Sequence, residues 1–188
     1  MLRLIDMMHI AIFTALMAVL GFMPPLFLSF TPVPITLQTL GVMLAGSILR
    51  PKSAFLSQLV FLLLVAFGAP LLPGGRGGFG VFFGPSAGFL IAYPLASWTI
   101  SLAASRLRKV TVLRLFFTHI VFGIIFIYLL GIPVQAFMMH IDLSQAAFMS
   151  LAYVPGDLLN EARAFPKLKK TVSSIINHSL SLLFLSQL

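Results

Sequence analysis

Four stretches of the chain carry no Asp, Glu, Lys or Arg: residues 7–49, 53–75, 77–105 and 115–141. Each exceeds the roughly 20 residues that a helix needs to cross a hydrocarbon core of about 30 Å. The first has room for two crossings with a turn between them. Punctuation within these runs places the spans. One covers 7–23 and stops at Pro24-Pro25, where a proline-punctuated loop, 24–35, begins. A short span follows over 36–49, then a tight turn at Arg50-Pro51-Lys52, then a span over 53–67. A glycine-rich loop, 68–84, leads into a span over 85–104 entered through Pro85 in its first turn. Arg106, Arg108 and Lys109 form a basic turn before a fifth span, 112–130, which Gly131-Ile132-Pro133 ends. A shorter apolar piece covers 144–154, and length calls for a sixth span after Pro155-Gly156-Asp157. The pattern predicts an all-α integral membrane protein, one transmembrane domain over 1–188 with a bundle of about six helices.

Composition removes the soluble alternative. Charged residues make up 9% of the 188 and hydrophobic residues 60%, against about 25% charged in a soluble domain. Mean hydropathy is +1.09, and a soluble fold of this kind would expose large apolar patches. The net charge of +8 does not point to nucleic acid, because no basic face with interleaved aromatics occurs. Instead Arg3, then Arg50 with Lys52, then Arg106, Arg108 and Lys109 fall on alternate turns. Basic loops mark the cytoplasmic side, so the chain reads as a multi-pass cell-membrane protein with its N-terminus inside. The three long connections, 24–35, 68–84 and 132–156, then face outside, where Arg76 is the one cation expected. A site built from them opens outward. The N-terminus does not read as a cleaved signal, and the absence of cysteine excludes disulfides and thiolate chemistry.

Several constellations bear on chemistry. Gly75 to Gly80 forms a formal GxGxxG, but a dinucleotide site needs a strand before it and a helix after it in a βαβ unit. No Walker A sequence occurs. Gly75, Gly77 and Gly78 permit positive φ and close backbone approach, which suits either a flexible outer loop or a loop closing over a solute. Arg76 is either a solvated loop arginine or an attractor for an anion. Ser86 stands where a helix begins, as a cap or as part of a carboxylate subsite at the helix N-terminus. Thr36, Gln38 and Thr39 place hydrogen-bonding groups at the start of a short span, as interfacial residues or pocket groups. Asp157, a carboxylate at a membrane helix end, is a functional candidate or an N-cap acid. Ala11 with Ala15, and Thr14 with Ala18, have the small-xxx-small spacing that lets helices approach closely. His9, His119, His140 and His178 have no metal-ligand spacing, so no metal or cofactor is expected. Only four acidic residues exist, none paired in sequence, so acid–base catalysis is disfavoured and no enzyme is expected.

Three of these stretches together resemble the BioY family: Pro32-Val-Pro-Ile-Thr-Leu-Gln-Thr-Leu-Gly-Val-Met-Leu-Ala-Gly46, the glycine loop running into Gly84-Pro85-Ser86-Ala-Gly88, and Pro155-Gly156-Asp157. They stand in the family's order and spacing over residues 8 to about 160. The resemblance implies the substrate-binding S component of an energy-coupling factor transporter for biotin. It implies six helices, an outward-opening biotin site, and partners consisting of a transmembrane T component and two ATPases. Ala11 and Ala15 would dock on the T component. Thr36, Gln38 and Asp157 would address polar parts of biotin, and Phe79, Phe82 and Tyr93 would cover its ring. Arg76, or the helix start at Ser86, would favour its carboxylate, with Gly75, Gly77 and Gly78 framing the loop. The chain departs from the family pattern at Asn160, which stands at a lysine position. Glu161, Arg163, Lys167, Lys169 and Lys170 follow where an apolar helix belongs. A central membrane charge costs ~2.5–3.5 kcal/mol, so 161–188 reads as a divergent tail of the kind a frameshift leaves. The alternatives are an S component for another vitamin, or a C-terminally altered family copy.

Overall fold

A computed structural model describes residues 3–25, 33–34, 36–107, 112–151, 153, 154 and 156. The expected sixth span, the tail 161–188, and Arg108 and Lys109 of the basic turn lie outside the described residues. Among the described residues seven α-helices follow one another: α1 (Leu4–Phe22), α2 (Gln38–Ile48), α3 (Pro51–Ala66), α4 (Ala87–Ser105), α5 (Val112–Thr118), α6 (Phe126–Met139) and α7 (Leu143–Leu151). A 3₁₀ turn, Phe79–Phe83, precedes α4, and a π-helical segment, His119–Ile125, joins α5 to α6 without a break. Among the described residues there is no β-strand beyond one bridge between Leu72 and Arg76. The protein is an all-α membrane bundle.

Among the described residues three helices are long and apolar enough to cross a membrane: Leu4–Phe22, Ala87–Ser105 and Arg114–Met139. α2 and α3 are apolar but shorter, with 11 and 16 residues. At 1.5 Å per residue α2 covers only about 17 Å. Val33, Pro34 and Thr36, irregular backbone before α2, line a cavity, a setting in which irregular backbone within a membrane protein is tolerated.

Two expected boundaries are corrected. Arg50-Pro51-Lys52 is not a turn in itself. Arg50 is the N-cap of α3 and Pro51 its first residue, where a missing N–H costs nothing. Gly131-Ile132-Pro133 does not end the fifth span, because α6 runs through Pro133 to Met139. Its neighbour explains the tolerance. Proline at position 133 removes an N–H and crowds the preceding turn, and α4 packs against that turn at Gly88. A Cβ on Gly88 would come within 2.8 Å of the Leu130 carbonyl oxygen and 2.6 Å of the Val134 Cβ. The glycine lets the α4 backbone cover the loosened turn.

α4 is the central helix, packed on α2, α3 and α6, while α1 lies on α3 and α2 and α7 lies on α6. The core consists of Met17, Val42, Met43, Phe61, Val65, Ala92, Ala96, Ile100 and Ile127. Hydroxyls tie the helices where lipid supplies no partner. Thr14 Oγ1 donates to the Ser57 carbonyl (2.9 Å), Ser97 Oγ to the Ala54 carbonyl (3.1 Å) and Ser101 Oγ to the Leu49 carbonyl (2.6 Å). Buried His119, in the π segment, pairs with Ser47 of α2. Interhelical bonds of this kind contribute about 0.6 kcal/mol each on average. The outer surface is the inverse of a soluble protein. Ile5, Ile12, Val19, Phe22, Leu63, Phe67, Leu129 and Phe137 are all exposed, an apolar belt that suits a hydrocarbon solvent.

Candidate solute-binding site

The helices converge on a pocket at one end of the bundle. α1 begins at that end's opposite, as does α3, while α2 and α4 end there, so Arg3, Arg50, Lys52 and Arg106 are gathered far from the pocket. Five parts of the chain form the walls. Val33, Pro34, Thr36, Gln38 and Thr39 come from the irregular chain and first turn of α2. Leu72, Pro73 and Arg76 come from the glycine loop, and Ser86, Phe89, Leu90 and Tyr93 from the start of α4. Ile127 and Tyr128 of α6, with Tyr153 beyond α7, close the far side. The cavity between these walls is narrow, about 60 Å³.

Gln38 organises the near wall. Its side chain is buried, and Nε2 donates to the Leu71 carbonyl at 3.2 Å, which pins the glycine loop to the start of α2. Its backbone N–H donates to Thr36 Oγ1 at 3.3 Å, which leaves the Thr36 hydroxyl proton to donate elsewhere. The loop is held a second time by reciprocal backbone bonds between Leu72 and Arg76, at 3.0 and 3.2 Å. Arg76 Nε donates to the Pro73 carbonyl (3.2 Å). This orients an exposed guanidinium at the pocket rim with its remaining donors unspent.

α4 starts at Ala87, with Ser86 as N-cap and Pro85 outside the helix, two residues later than the sequence suggests. The Ser86 side chain makes no capping bond and lines the pocket instead. Beside it the helix N-terminus presents unpaired N–H groups and a partial positive charge. The rim therefore carries Arg76, the Ser86 hydroxyl and a helix N-terminus, all suited to a carboxylate.

The far wall is aromatic. Phe89 and Tyr128 meet edge to face, with centroids 5.9 Å apart and planes at 88°. Tyr153 packs on both, at 6.4 Å from each. Tyr93, Tyr128 and Tyr153 are all the tyrosines of the chain, and all three line this pocket. The nineteen phenylalanines are spread through the bundle and its surface. A phenol in hydrocarbon needs a partner, so gathering every one here marks the pocket as the place where polar groups meet an apolar wall.

The structure thus brings together Thr36, Gln38, Arg76, Ser86 and Tyr93. Gly75, Gly77, Gly78, Phe79 and Phe82 are not among the lining residues. Gly74, Gly75 and Gly78 take positive φ of 77°, 70° and 88°, which shapes the loop's turns. Phe79 is exposed and Phe82 half-buried, and Phe79 contacts Phe82 and Phe83 at 6.1 and 5.6 Å. They form a cluster on the loop, apart from the pocket wall. Asp157 and Asn160 lie outside the described residues. Ala11 and Ala15 are exposed on one side of α1, while Thr14 and Met17 are buried on the other. The sequence reading missed Tyr128, Tyr153, Phe89 and Leu72. The rarity of tyrosine was the signal for the first two.

The sequence matches the BioY family model over residues 1–174. The chain belongs to the BioY family. A probable biotin transporter BioY of Bacillus subtilis (strain 168) is 92% identical over 172 residues, covering 91% of this chain and 92% of that protein. The biotin transporter BioY of Rhizobium etli is 37% identical over 160 residues, covering 82% and 86%. A solved structure, the S-component for biotin from an ECF-type ABC transporter, has a TM-score of 0.85 at 31% identity and covers 89% of this chain and 90% of that one. In this BioY-family chain the stretch 32–46 and the stretch 84–88 supply two walls of the pocket. Those are two of the three stretches that carry the family resemblance.

Proposed function

We propose that this protein is the biotin-capturing S component of an energy-coupling factor transporter, working with a transmembrane T component and two ATPases. The observation that carries the reading is the pocket itself, where every tyrosine of the chain meets Thr36, Gln38, Ser86 and Arg76. Biotin has a ureido ring that needs donors and acceptors, an apolar bicycle and a valerate carboxylate. The tyrosines and Phe89 suit the bicycle, Thr36, Gln38 and Thr39 suit the ureido group, and the rim at Arg76 and Ser86 suits the carboxylate. Asp157, and position 160, which holds Asn160, complete the proposed ligand set.

The charge distribution supports the orientation. Basic residues collect at the end away from the pocket, which supports a cytoplasmic location for that end and the N-terminus and a pocket that opens outward. No chemistry is needed. Asp6 and Asp142 are the only acids among the described residues, and neither lines the pocket. Asp6 instead accepts the Arg3 N–H at 3.1 Å. The protein binds, and the ATPases of its partners supply the free energy for import. Ala11 and Ala15 lie on the exposed side of α1 as the face for the T component. We read residues 161–188 as a divergent tail, and the nucleotide sequence around codon 160 tests this: a family-like apolar helix in another reading frame supports it, and its absence overturns it.

The deciding experiment is a binding panel on the purified full chain by calorimetry. Biotin is expected to bind saturably at one site, with no binding of riboflavin or thiamine. Binding of another vitamin in place of biotin overturns the substrate assignment. Uptake that persists in cells lacking the ATPases overturns the assignment as an S component.

A further inference from the structure

A second groove lies on the membrane-facing surface between α3 and α4, far from the solute pocket. It encloses about 420 Å³ and is lined by Lys52, Phe55, Leu56, Leu95 and Trp98. Hydrogen bonds set the register of its two walls. Ser101 Oγ reaches the Leu49 carbonyl and Ser97 Oγ reaches the Ala54 carbonyl. Trp98 therefore stands beside Lys52, and Leu95 one turn deeper, beside Phe55 and Leu56. Trp98 is 41% exposed and Lys52 is exposed. Among the described residues no carboxylate pairs with Lys52. Arg50, exposed, precedes it, and Arg106 caps α4 at the same end. The one described acid at that end, Asp6, is held by the Arg3 backbone.

The groove thus has a cationic head at Lys52, a partly exposed indole beside it, and an apolar floor of Phe55, Leu56 and Leu95. Proteins use this combination to hold the phosphate and acyl chain of one lipid. Basic pockets between membrane helices at the cytoplasmic face bind anionic headgroups.

We propose that this groove is a binding site for an anionic phospholipid, its phosphate on Lys52 and an acyl chain against Phe55, Leu56 and Leu95. The inference rests on the orientation given above only in assigning the lipid to the cytoplasmic leaflet. The site would hold the protein at a defined depth and tilt by its α3–α4 face.

Trp98 is the only tryptophan in the chain, so its fluorescence reads the groove directly. The full chain is reconstituted into vesicles of phosphatidylcholine in which either phosphatidylglycerol or phosphatidylcholine carries bromine on its acyl chains. Brominated phosphatidylglycerol is expected to quench Trp98 with about fivefold preference over brominated phosphatidylcholine, the ratio that about 1 kcal/mol from one lysine gives. The preference should fall to about one in Lys52→Gln, persist in Lys52→Arg, and weaken in salt of about 1 M. Equal quenching by the two lipids, or a preference unchanged in Lys52→Gln, overturns the site. Biotin binding measured on the same vesicles separates the two readings. A chain that binds biotin and shows no lipid preference loses only this site. One that shows the preference but does not bind biotin loses only the substrate assignment.

Discussion

At the scale of single residues, the pocket makes two sharp predictions. Arg76 is exposed at the rim and, among the described residues, its side chain is tied only to the Pro73 carbonyl, so its charge acts mainly on encounter and orientation of an anion. Arg76→Gln should weaken biotin binding about three- to tenfold, mostly through the on-rate, and leave biotin methyl ester unaffected. Stopped-flow binding of the two ligands checks this, and equal losses for both would assign Arg76 to loop structure instead. Gly21 supports the opposite wall. A Cβ there would lie 1.9 Å from the Leu71 carbonyl oxygen and 2.8 Å from Gln38 Nε2, so Gly21→Ala must displace the loop and break its bond to Gln38. Overpacking of this kind costs about 1–3 kcal/mol, and biotin affinity should fall more than tenfold with a lower melting temperature. Gly80→Ala, where a Cβ meets nothing within 4 Å, should leave both unchanged. Thr36, Gln38, Arg76, Ser86 and Tyr93 were legible in the sequence because a hydrogen-bonding group inside an uncharged run is conspicuous. Phe79 and Phe82 were assigned to cover the ring from the family resemblance, and the fold instead clusters them with Phe83 on the loop. Nothing in the sequence says that they would pack on each other. Tyr128 and Tyr153 were hidden by distance along the chain, since only the fold of α6 brings residue 128 to Phe89.

At the scale of the helices, most spans were legible, because runs without charge are long and their breaks are prolines, glycines or arginines. The fifth was read as ending at Gly131-Ile132-Pro133, a rule that holds for a helix in water. Here the helix continues, since a membrane leaves an unpaired carbonyl no solvent and the Gly88 face of α4 covers the proline turn. The close fit predicts an asymmetry. Gly88→Val places a branched side chain into the Leu130 carbonyl and Val134, and should destabilise the bundle by about 1–3 kcal/mol. Pro133→Ala restores a helical N–H without adding volume, and should leave the melting temperature nearly unchanged. Thermal unfolding of both variants in the same detergent checks this. A larger loss for Pro133→Ala would mean that the proline shapes the pocket end of α6 and is not merely tolerated. The pairing of Ser47 with His119 belongs to this scale too. Ser47→Ala removes one partner of a fully buried imidazole, and should cost about 1–3 kcal/mol in the same assay.

At the scale of the whole molecule, α1 has two faces in different surroundings. Thr14 and Met17 look inward, and Thr14 is bonded to the Ser57 carbonyl of α3. Ala11 and Ala15 look outward among Met8, Ile12 and Val19, all exposed. The small-xxx-small spacing alone could not separate the pair 11 and 15 from the pair 14 and 18, and packing does. Two alanines on an otherwise bulky apolar face leave a shallow track along α1, which suits close contact with another helix. Lipid chains need no such track. The pocket lies at the far end of the bundle from the basic cluster and draws no wall from α1. Biotin binding and the proposed docking through α1 are therefore separable by experiment. Ala11→Trp with Ala15→Trp should leave biotin affinity within about twofold of the parent chain, because neither side chain reaches the bundle interior. The same double variant should lose co-purification with the T component and ATPases, and with it biotin uptake in cells. Retained co-purification would move the docking face to another helix. Lost biotin affinity would mean that α1 shapes the pocket from behind, through Gly21 and Gln38. The two outcomes are told apart by measuring affinity on the isolated chain before the partners are added.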